Sequence, residues 1–520
     1  MRKGLKNIIP RATNTIINAI PPLRRIRNSM KKAETNYIVK RAELYAGAKT
    51  TRLTGNWIAG NSNVNDIIGA SSPILRARVR QLIRDFPYLA RAVRVIVDYS
   101  VGTGIMFQST VEDSNGKRDK KTITKIEDAV KFWMDEADAA GKLHYYEMMR
   151  LAKRQDLEPG EFVIVKTFPK IPNQYIPYNL QVYEADWLTS TKDNYKTGGI
   201  NINAKPTDTE TRQGIEYYTQ TGRVKGYWFS DPNYGGNAVY VPAENMVHGY
   251  EMLRPQQLRG VSPFAPGILI ANDLSTYLDA EIDAAKLAAK WLAIVKKNDP
   301  AMSQLNLPTQ TASNRTDIQK IEELENAIIE YLRPGEDITF ASSNRPGATF
   351  QPFVRLLLTM LSIITGAPYE LISGDYQGLN FSTARIVRND FSQQLRPIAA
   401  RHVRQFAMPT VTTALDIAVL SGKITLPGYW QNPRRYHKSE WQPPGMDAVD
   451  PLREAKGQIE SISYGLKSPQ EVARERGRDL EDIYKEIKSA QELAKEMGLV
   501  FESANQSEKS NPAAIMEEDT

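Results

Sequence analysis

The chain has 520 residues, 41% hydrophobic and 24% charged, a balance that excludes a disordered chain. Cysteine is absent, which removes disulfides, thiolate metal sites and cysteine nucleophiles, and no apolar run approaches the roughly 20 residues of a membrane-spanning helix. The net charge of +7 is unevenly spread: residues 1–52 hold 13 Lys/Arg against 2 Asp/Glu, whereas residues 445–520 hold 10 against 17.

The basic arm comes first, lacks the compact apolar core of a signal peptide and is broken at Pro21-Pro22. Nucleic-acid contact, docking on a partner or neighbouring subunit, and plain solvation all fit its charge. Ser72-Pro73 then has the form of an N-cap followed by proline at the first helical position. Leu75, Val79, Leu82, Phe86, Leu89, Val93 and Ile96 make an apolar stripe, and Pro87 predicts a kink or two abutting helices within it. Arg76, Arg80 and Arg84 share another face, read as solvated or intersubunit, with DNA contact as the second reading. Val101-Gly102-Thr103-Gly104 ends the helix. A dinucleotide fingerprint would need a third glycine and a strand before it, so that reading fails.

Helices are predicted at 122–140 and from Tyr145 to Gln155. From about 160 to 250 the chain turns to aromatic and β-branched runs, such as GEFVIVKTF and RVKGYWFS, with a hairpin at Thr221-Gly222. The longest helical signal, Asn272–Lys297, contains neither Pro nor Gly. A Pro-, Thr- and Asn-rich stretch, a short helix (318–332) and a turn-and-strand, RPGEDITF, come next. A second apolar helix at 351–366 follows, which includes the best apolar run, Leu356–Ile364, beside Arg355. The loop SGDYQGLNFSTAR (373–385) leads into a helical stretch, 382–421, expected to break at Pro397 and Pro409. Ser382-Thr383 is the expected cap of that helix. WQNPRRYHKSEWQPPG reads as a linker, 450–498 as a helical unit, and the last twenty residues as a frayed tail. The fold class is α+β, mainly α.

Recognisable catalytic chemistry is sparse. There is no GxxxxGK[ST], HExxH or GxSxG pattern. His144, His248, His402 and His437 lack ligand spacing and are expected as packing or surface residues, so no metal or cofactor is expected. Asp279, Glu281 and Asp283 suggest a carboxylate cluster for metal-assisted nuclease chemistry. On a helix, however, Asp279 and Asp283 share a face and Glu281 points elsewhere, a pattern that also suits a solvated face or an acidic wall along a polyanion channel.

Four segments, in order, resemble the lambda-type family of phage portal proteins: LRARVRQLIRDFPYLARAVRVIVDYSVGTGI (75–105), VHGYEMLRPQQLRGVSPFAP (247–266), GAPYELISGDYQGLNFSTAR (366–385) and VDPLREAKGQIESISYGLKSPQEVARERGRDLEDI (449–483). The resemblance departs in the loop, where Gln377-Gly378-Leu379 is inserted between Asp375-Tyr376 and Asn380-Phe381-Ser382.

The resemblance implies a structural conduit rather than an enzyme: a ring, typically dodecameric, at one capsid vertex, through which double-stranded DNA is packaged, retained and ejected. It implies a wing (55–262), a stem helix (263–296), a clip (297–350), a returning stem helix (351–372), a tunnel loop (373–382), a long kinked helix and linker (383–445) and crown helices (446–500); the basic arm (1–54) and the flexible tail (501–520) fall outside it. The implied partners are further copies of the chain, DNA, the terminase large subunit, the major capsid protein with scaffold, and a head-completion or tail adaptor protein. No membrane is involved, and assembly would precede the virion, in the host cytoplasm. DNA-facing positions implied for the loop are Asp375, Tyr376, Gln377, Leu379, Asn380 and Phe381. A terminase-like or nuclease packaging enzyme and another capsid adaptor protein are the alternatives.

Overall fold

The computed structural model describes residues 59–499 apart from 170, 197–198, 234, 291–293, 298–335, 340–346, 446–450, 476–477 and 479. The chain falls into two units, 1–63 and 64–520. The second is α+β and dominated by helices. The basic arm, the expected helix at 318–332, most of the expected clip and the tail lie outside the described residues.

Helix α1 (Val64–Asp85) starts two turns before the Ser72-Pro73 signal and carries Pro73 inside it. Proline forfeits one backbone bond there, but packing outweighs the loss. Ile68, Ser72, Arg76, Val79 and Ile83 are all buried along one face that runs through the proline. Asn65 ties down the first turn, donating to Gln256 O at 2.9 Å and accepting from Leu258 N at 2.9 Å. The break at Pro87 is present: α1 ends at Asp85 and α2 (Pro87–Ser100) begins with the proline.

Strand β1 (Met106–Ser109), α3 (Lys120–Asp135) and α4 (Tyr145–Leu157) follow. Asp119 caps α3 through Thr122 N at 3.2 Å. His144 caps α4: its Nδ1 accepts from Tyr146 N at 3.2 Å while Glu147 accepts from His144 N at 2.9 Å, two otherwise orphaned donors satisfied reciprocally.

The predicted β-rich segment is realised as two antiparallel sheets. In the first, β2 (Glu161–Thr167) lies between β3 (Asn179–Tyr183) and, from the far end of the segment, the strand Met246–Tyr250. The second is a meander of β4 (Thr209–Arg212), β5 (Ile215–Tyr218), β6 (Val224–Asp231) and β7 (Gly235–Pro242), with the expected turn at Thr221-Gly222. Ile215 and Tyr217 point inward and Glu216 and Tyr218 do not, the period-two pattern of a half-buried strand. The strand Met246–Tyr250 is β8.

Helix α5 (Ile268–Lys290) is shorter than its sequence signal. Ile294–Lys297, expected to extend it, is instead β9 and pairs antiparallel with β10 (Glu336–Thr339). The β-branched pair Ile294-Val295 and a partner strand outweigh the helix propensity of the flanking residues. Helix α6 (Phe350–Thr365) returns and is stopped by Gly366 at φ 74°. A short α7 (Tyr369–Ser373) and a long α8 (Phe381–His402) follow. Pro397 does not interrupt α8. The irregularity falls at a π-helical turn, Val403–Ala407, just ahead of α9 (Met408–Leu420) and Pro409.

The expected linker contains a helical turn, α10 (Pro433–Tyr436), and β11 (Ser439–Gln442), which pairs with β1. Phe107 faces Trp441 with ring centroids 5.2 Å apart, and Gln442 Nε2 donates to Gln108 Oε1 at 2.9 Å in a buried position. Period alone could not reveal a four-residue strand whose partner lies more than 300 residues away. Helices α11 (Pro451–Ser463), α12 (Pro469–Glu475) and α13 (Leu480–Glu496) complete the described chain.

One buried carboxylate joins these elements. Glu161, at the start of β2, is fully buried. Arg259 grips it in bidentate fashion, with Nη2 to Oε1 at 2.6 Å and Nε to Oε2 at 3.0 Å. Gly260 N donates to Oε2 at 2.9 Å, His248 Nε2 lies 3.0 Å from the same oxygen, and Arg76 Nη1 donates to Oε1 at 3.3 Å. Arg259 continues to Gln213 O (3.0 Å) and Ala185 O (2.8 Å). The arginine face of α1 is therefore turned into its own chain: Arg76 also lies 3.5 Å from Asp186, and Arg80 bonds Asp186 at 2.7 Å. Arg84 alone of the three is exposed, against Asp85. The close approach needs two glycines. Gly160 has φ 91°, and a Cβ on it would lie 2.1 Å from Val261 C; one on Gly260 would lie 2.0 Å from Gly160 O.

Burial alone would raise the Glu161 carboxyl's pKa, but Arg259 and His248 outweigh it and hold the group well below the usual carboxylate range. A depressed carboxyl contributes stability that is complete above its ordinary value of 4.5 and is lost as pH falls towards the folded value. Glu161→Ala, which strands two buried guanidiniums, is expected to cost about 3–5 kcal/mol in chemical denaturation at neutral pH. Below pH 4.5 the gap between parent and variant should narrow; a variant as stable as its parent at neutral pH would refute the assignment.

Candidate nucleic-acid interface

The loop between α7 and α8 is built from two stops with a short tip between them. Gly366 and Pro368 separate α6 from α7, and Gly374 at φ 71° closes α7 with its N–H on Glu370 O. Asp375 forms the first stop. Its N–H donates to Ser373 Oγ at 3.1 Å, its Oδ1 accepts from Gln377 N at 3.0 Å, and its Oδ2 accepts from the Tyr369 hydroxyl at 3.2 Å. Asn380 forms the second, capping α8 through Thr383 N at 2.8 Å. The cap is thus Asn380 rather than the expected Ser382-Thr383: with Asn380 in an extended conformation, those two residues already lie in the first helical turn.

The six residues singled out from sequence lie together on this one loop and do different things. Tyr376 is 56% exposed and Phe381 48% exposed, and Gln377 is also at the surface. Leu379 is half-buried and its N–H reaches Tyr376 O at 3.3 Å, closing the tip. Asp375 is half-buried with its carboxylate occupied by donors of its own chain, and Asn380 is occupied as a cap. The tip therefore offers aromatic, amide and aliphatic surface. A Cβ added at Gly374 or Gly378 would meet no other group, so the glycines are there for their left-handed conformation rather than for close packing.

The base of the loop is anchored by residues that sequence reading did not single out. Arg91 on α2 donates from Nε to Leu371 O at 3.1 Å, and the Arg355 guanidinium of α6 sits 5.4 Å from the centroid of the Tyr369 ring. Tyr369 packs against a core that contains Leu358, Leu361, Ile372 and Phe391. The Phe391 ring meets Tyr99 of α2 edge-on at 5.5 Å, which fixes α8 against α2. No short-range pattern could have found Arg91, since its partner lies 280 residues away. Arg385 is exposed one turn into α8, and Arg388 lies 3.6 Å from Glu454 on α11.

The other candidate chemistry is dispersed. On α5, Asp279 and Asp283 are exposed and Asp283 pairs with Lys286 at 3.0 Å. Among the described residues, no group of three or more His, Cys, Asp or Glu could hold a metal ion. His402 is buried, donates from Nε2 to Met149 O (3.0 Å) and stacks on Phe406; burial, then the nearby Lys153 charge, lowers its pKa to about 3, so it is neutral. His437 and the Tyr429 hydroxyl both meet Asp416, at 3.1 Å and 2.6 Å, tying the stretch after α9 back to that helix. Burial and the Asp416 contact raise the tyrosine's pKa, the opposite of an activated nucleophile.

The capping geometry gives a test. Asn380→Ala should cost about 1 kcal/mol of local stability at the start of α8. Amide exchange at Thr383 and Ala384 should quicken while the centre of α8 is unchanged, and Asn380→Asp should restore the parent rate.

The family description of phage portal proteins, lambda family, matches residues 50–398. The probable portal protein of Halomonas phage phiHAP-1 is 24% identical over 453 residues, covering 83% of this chain and 83% of its own. The portal protein of Escherichia phage N15 is 21% identical over 449 residues (78% and 81%), and portal protein B of Escherichia phage lambda is 21% identical over 338 residues (57% and 62%). Among solved structures, a chain in the neck of a native gene transfer agent particle, computed with C12 symmetry, aligns with a TM-score of 0.43 at 15% identity, over 78% of this chain and 93% of that one.

Proposed function

This chain belongs to the lambda family of phage portal proteins, and from that premise we propose that it assembles into a ring at one capsid vertex, through which double-stranded DNA is packaged, retained and ejected. The observation that carries the self-association is on α6. Phe353, Leu356, Met360 and Ile363 recur at helical spacing along one stripe and are 44%, 51%, 40% and 77% exposed. The opposite side of α6, with Leu358 and Leu361, is already buried in the chain's own core. A helix apolar on both sides needs a second surface to cover it, and a closed ring covers the same stripe on every copy.

In this reading α5 and α6 form the stem, much of the sheet-bearing region forms the wing, and α11 to α13 form the crown. The stretch 297–350 is the clip, where terminase and then a head-completion or tail adaptor protein dock. The loop at 373–382 is the tunnel loop, and Tyr376, Gln377, Leu379 and Phe381 are its DNA-facing surface. An uncharged tip suits a cargo of every sequence that must keep moving. Contacts of this kind read no bases, and a lumen crowded with cations would grip the phosphates in a salt-dependent way.

Two experiments test the reading. Leu356→Glu combined with Ile363→Glu should shift the protein from closed rings to small species in native mass spectrometry; rings of unchanged size would sink the stripe assignment. Deleting Asp375–Asn380 should leave rings intact yet reduce the DNA packaged or retained by particles. If that deletion abolishes rings, the loop is an assembly element.

A further inference from the structure

We propose that Tyr369 is a positioning residue for the loop: its hydroxyl latches Asp375, and the latch holds the tip at 376–379 in one conformation. The latch stands on the chain's own geometry; only its consequence for DNA rests on the function proposed above.

Asp375 is the branch point of the loop. Its two carboxylate oxygens serve different masters, Oδ1 taking the Gln377 amide of the tip and Oδ2 taking the hydroxyl of Tyr369 in the body. A carboxylate is rigid and planar, so fixing one oxygen orients the other. The position of the Tyr369 hydroxyl is therefore transmitted to the tip. Without it, the Asp375 carboxylate would keep only its bond from the Gln377 amide and could turn about its side-chain torsions.

Tyr369 is itself held from two sides. Its ring packs on the core beside Ile372 and Phe391, and the Arg355 guanidinium lies over it at 5.4 Å. Ser373 completes the base: its hydroxyl donates to Tyr369 O at 2.8 Å and accepts from Asp375 N at 3.1 Å. Arg355 is the neighbour of Leu356 in the exposed stripe of α6. The Tyr369 ring is thus held by a side chain of α6, the helix that also carries the exposed stripe, while its hydroxyl reaches the carboxylate that sets the tip. Asp375 on this view is not a DNA contact, since its oxygens are occupied inside the chain.

The test is hydrogen exchange on the assembled full-length protein. Tyr369→Phe keeps the ring and its packing and removes only the hydroxyl. Exchange at the Gln377 and Leu379 amides should rise about fivefold, the loss of one hydrogen bond of ordinary strength, with α6 and α8 unchanged. In an Asp375→Ala background the same substitution should add nothing, because its effect passes through that carboxylate. Parent-like exchange in Tyr369→Phe, or an undiminished effect in the Asp375→Ala background, would overturn the latch. DNA retention by particles is measured alongside. Faster exchange with reduced retention supports both the latch and the DNA-facing loop; faster exchange with full retention supports the latch and removes DNA contact from the loop.

Discussion

A single carboxylate that cannot reach water organises much of this chain. Glu161 collects a guanidinium from α1, a second from the segment leading into α5, an imidazole from β8 and a backbone amide. These come from positions spread between 76 and 260. Each charge would be costly to bury alone; Glu161 offsets one guanidinium and Asp186, 3.5 Å from Arg76, helps offset the other. The arrangement fixes the direction in which the chain leaves the sheets for the long helix, because Arg259 and Gly260 sit on that path. The glycine pair at 160 and 260 is the steric counterpart: backbone must touch backbone for the carboxylate to reach its donors.

From that anchor the molecule divides by the character of its surfaces. The core shared by α1, α2, α5, α6 and α8 is apolar throughout and supplies a rigid seat for α7 and its loop. The loop that this seat carries is small, exposed and uncharged at its tip. On α6 the apolar character continues past the core onto the outer face, so the helix that supports the loop on one side leaves Leu356 and Ile363 exposed on the other.

Much of this architecture was legible in sequence, for reasons that differ by element. Pro87 announced its break because proline acts locally, and the strands from 161 to 250 announced themselves by aromatic and β-branched runs. The loop was found as a stretch of turn formers between two apolar helices, and it does join α7 to α8. What sequence missed depends on distant partners. Arg76 and Arg80 had the spacing of a solvated face, but their acceptors, Glu161, Glu184 and Asp186, are contributed by the sheet region. Ile294–Lys297 continued a helical composition until β10 supplied a partner, and Pro73 was overruled by a buried face that runs through it. Asn380 displaced Ser382-Thr383 as the cap because it alone takes the extended conformation the position requires.

The pairing of β1 with β11 carries a consequence for how such a chain can be exchanged in pieces. A proline-rich stretch invites a junction, and a swap of C-terminal modules between related genes at about residue 430 would look harmless on paper. It would remove the strand that covers Phe107 and Gln108 and strip their edge of its hydrogen bonds. A junction beyond Gln442 would leave that pairing whole and would have to preserve the surface ion pairs to the C-terminal helices, Arg388 with Glu454 and Lys120 with Glu481. Natural mosaics of this family should accordingly keep residues 106–109 and 439–442 from the same parent.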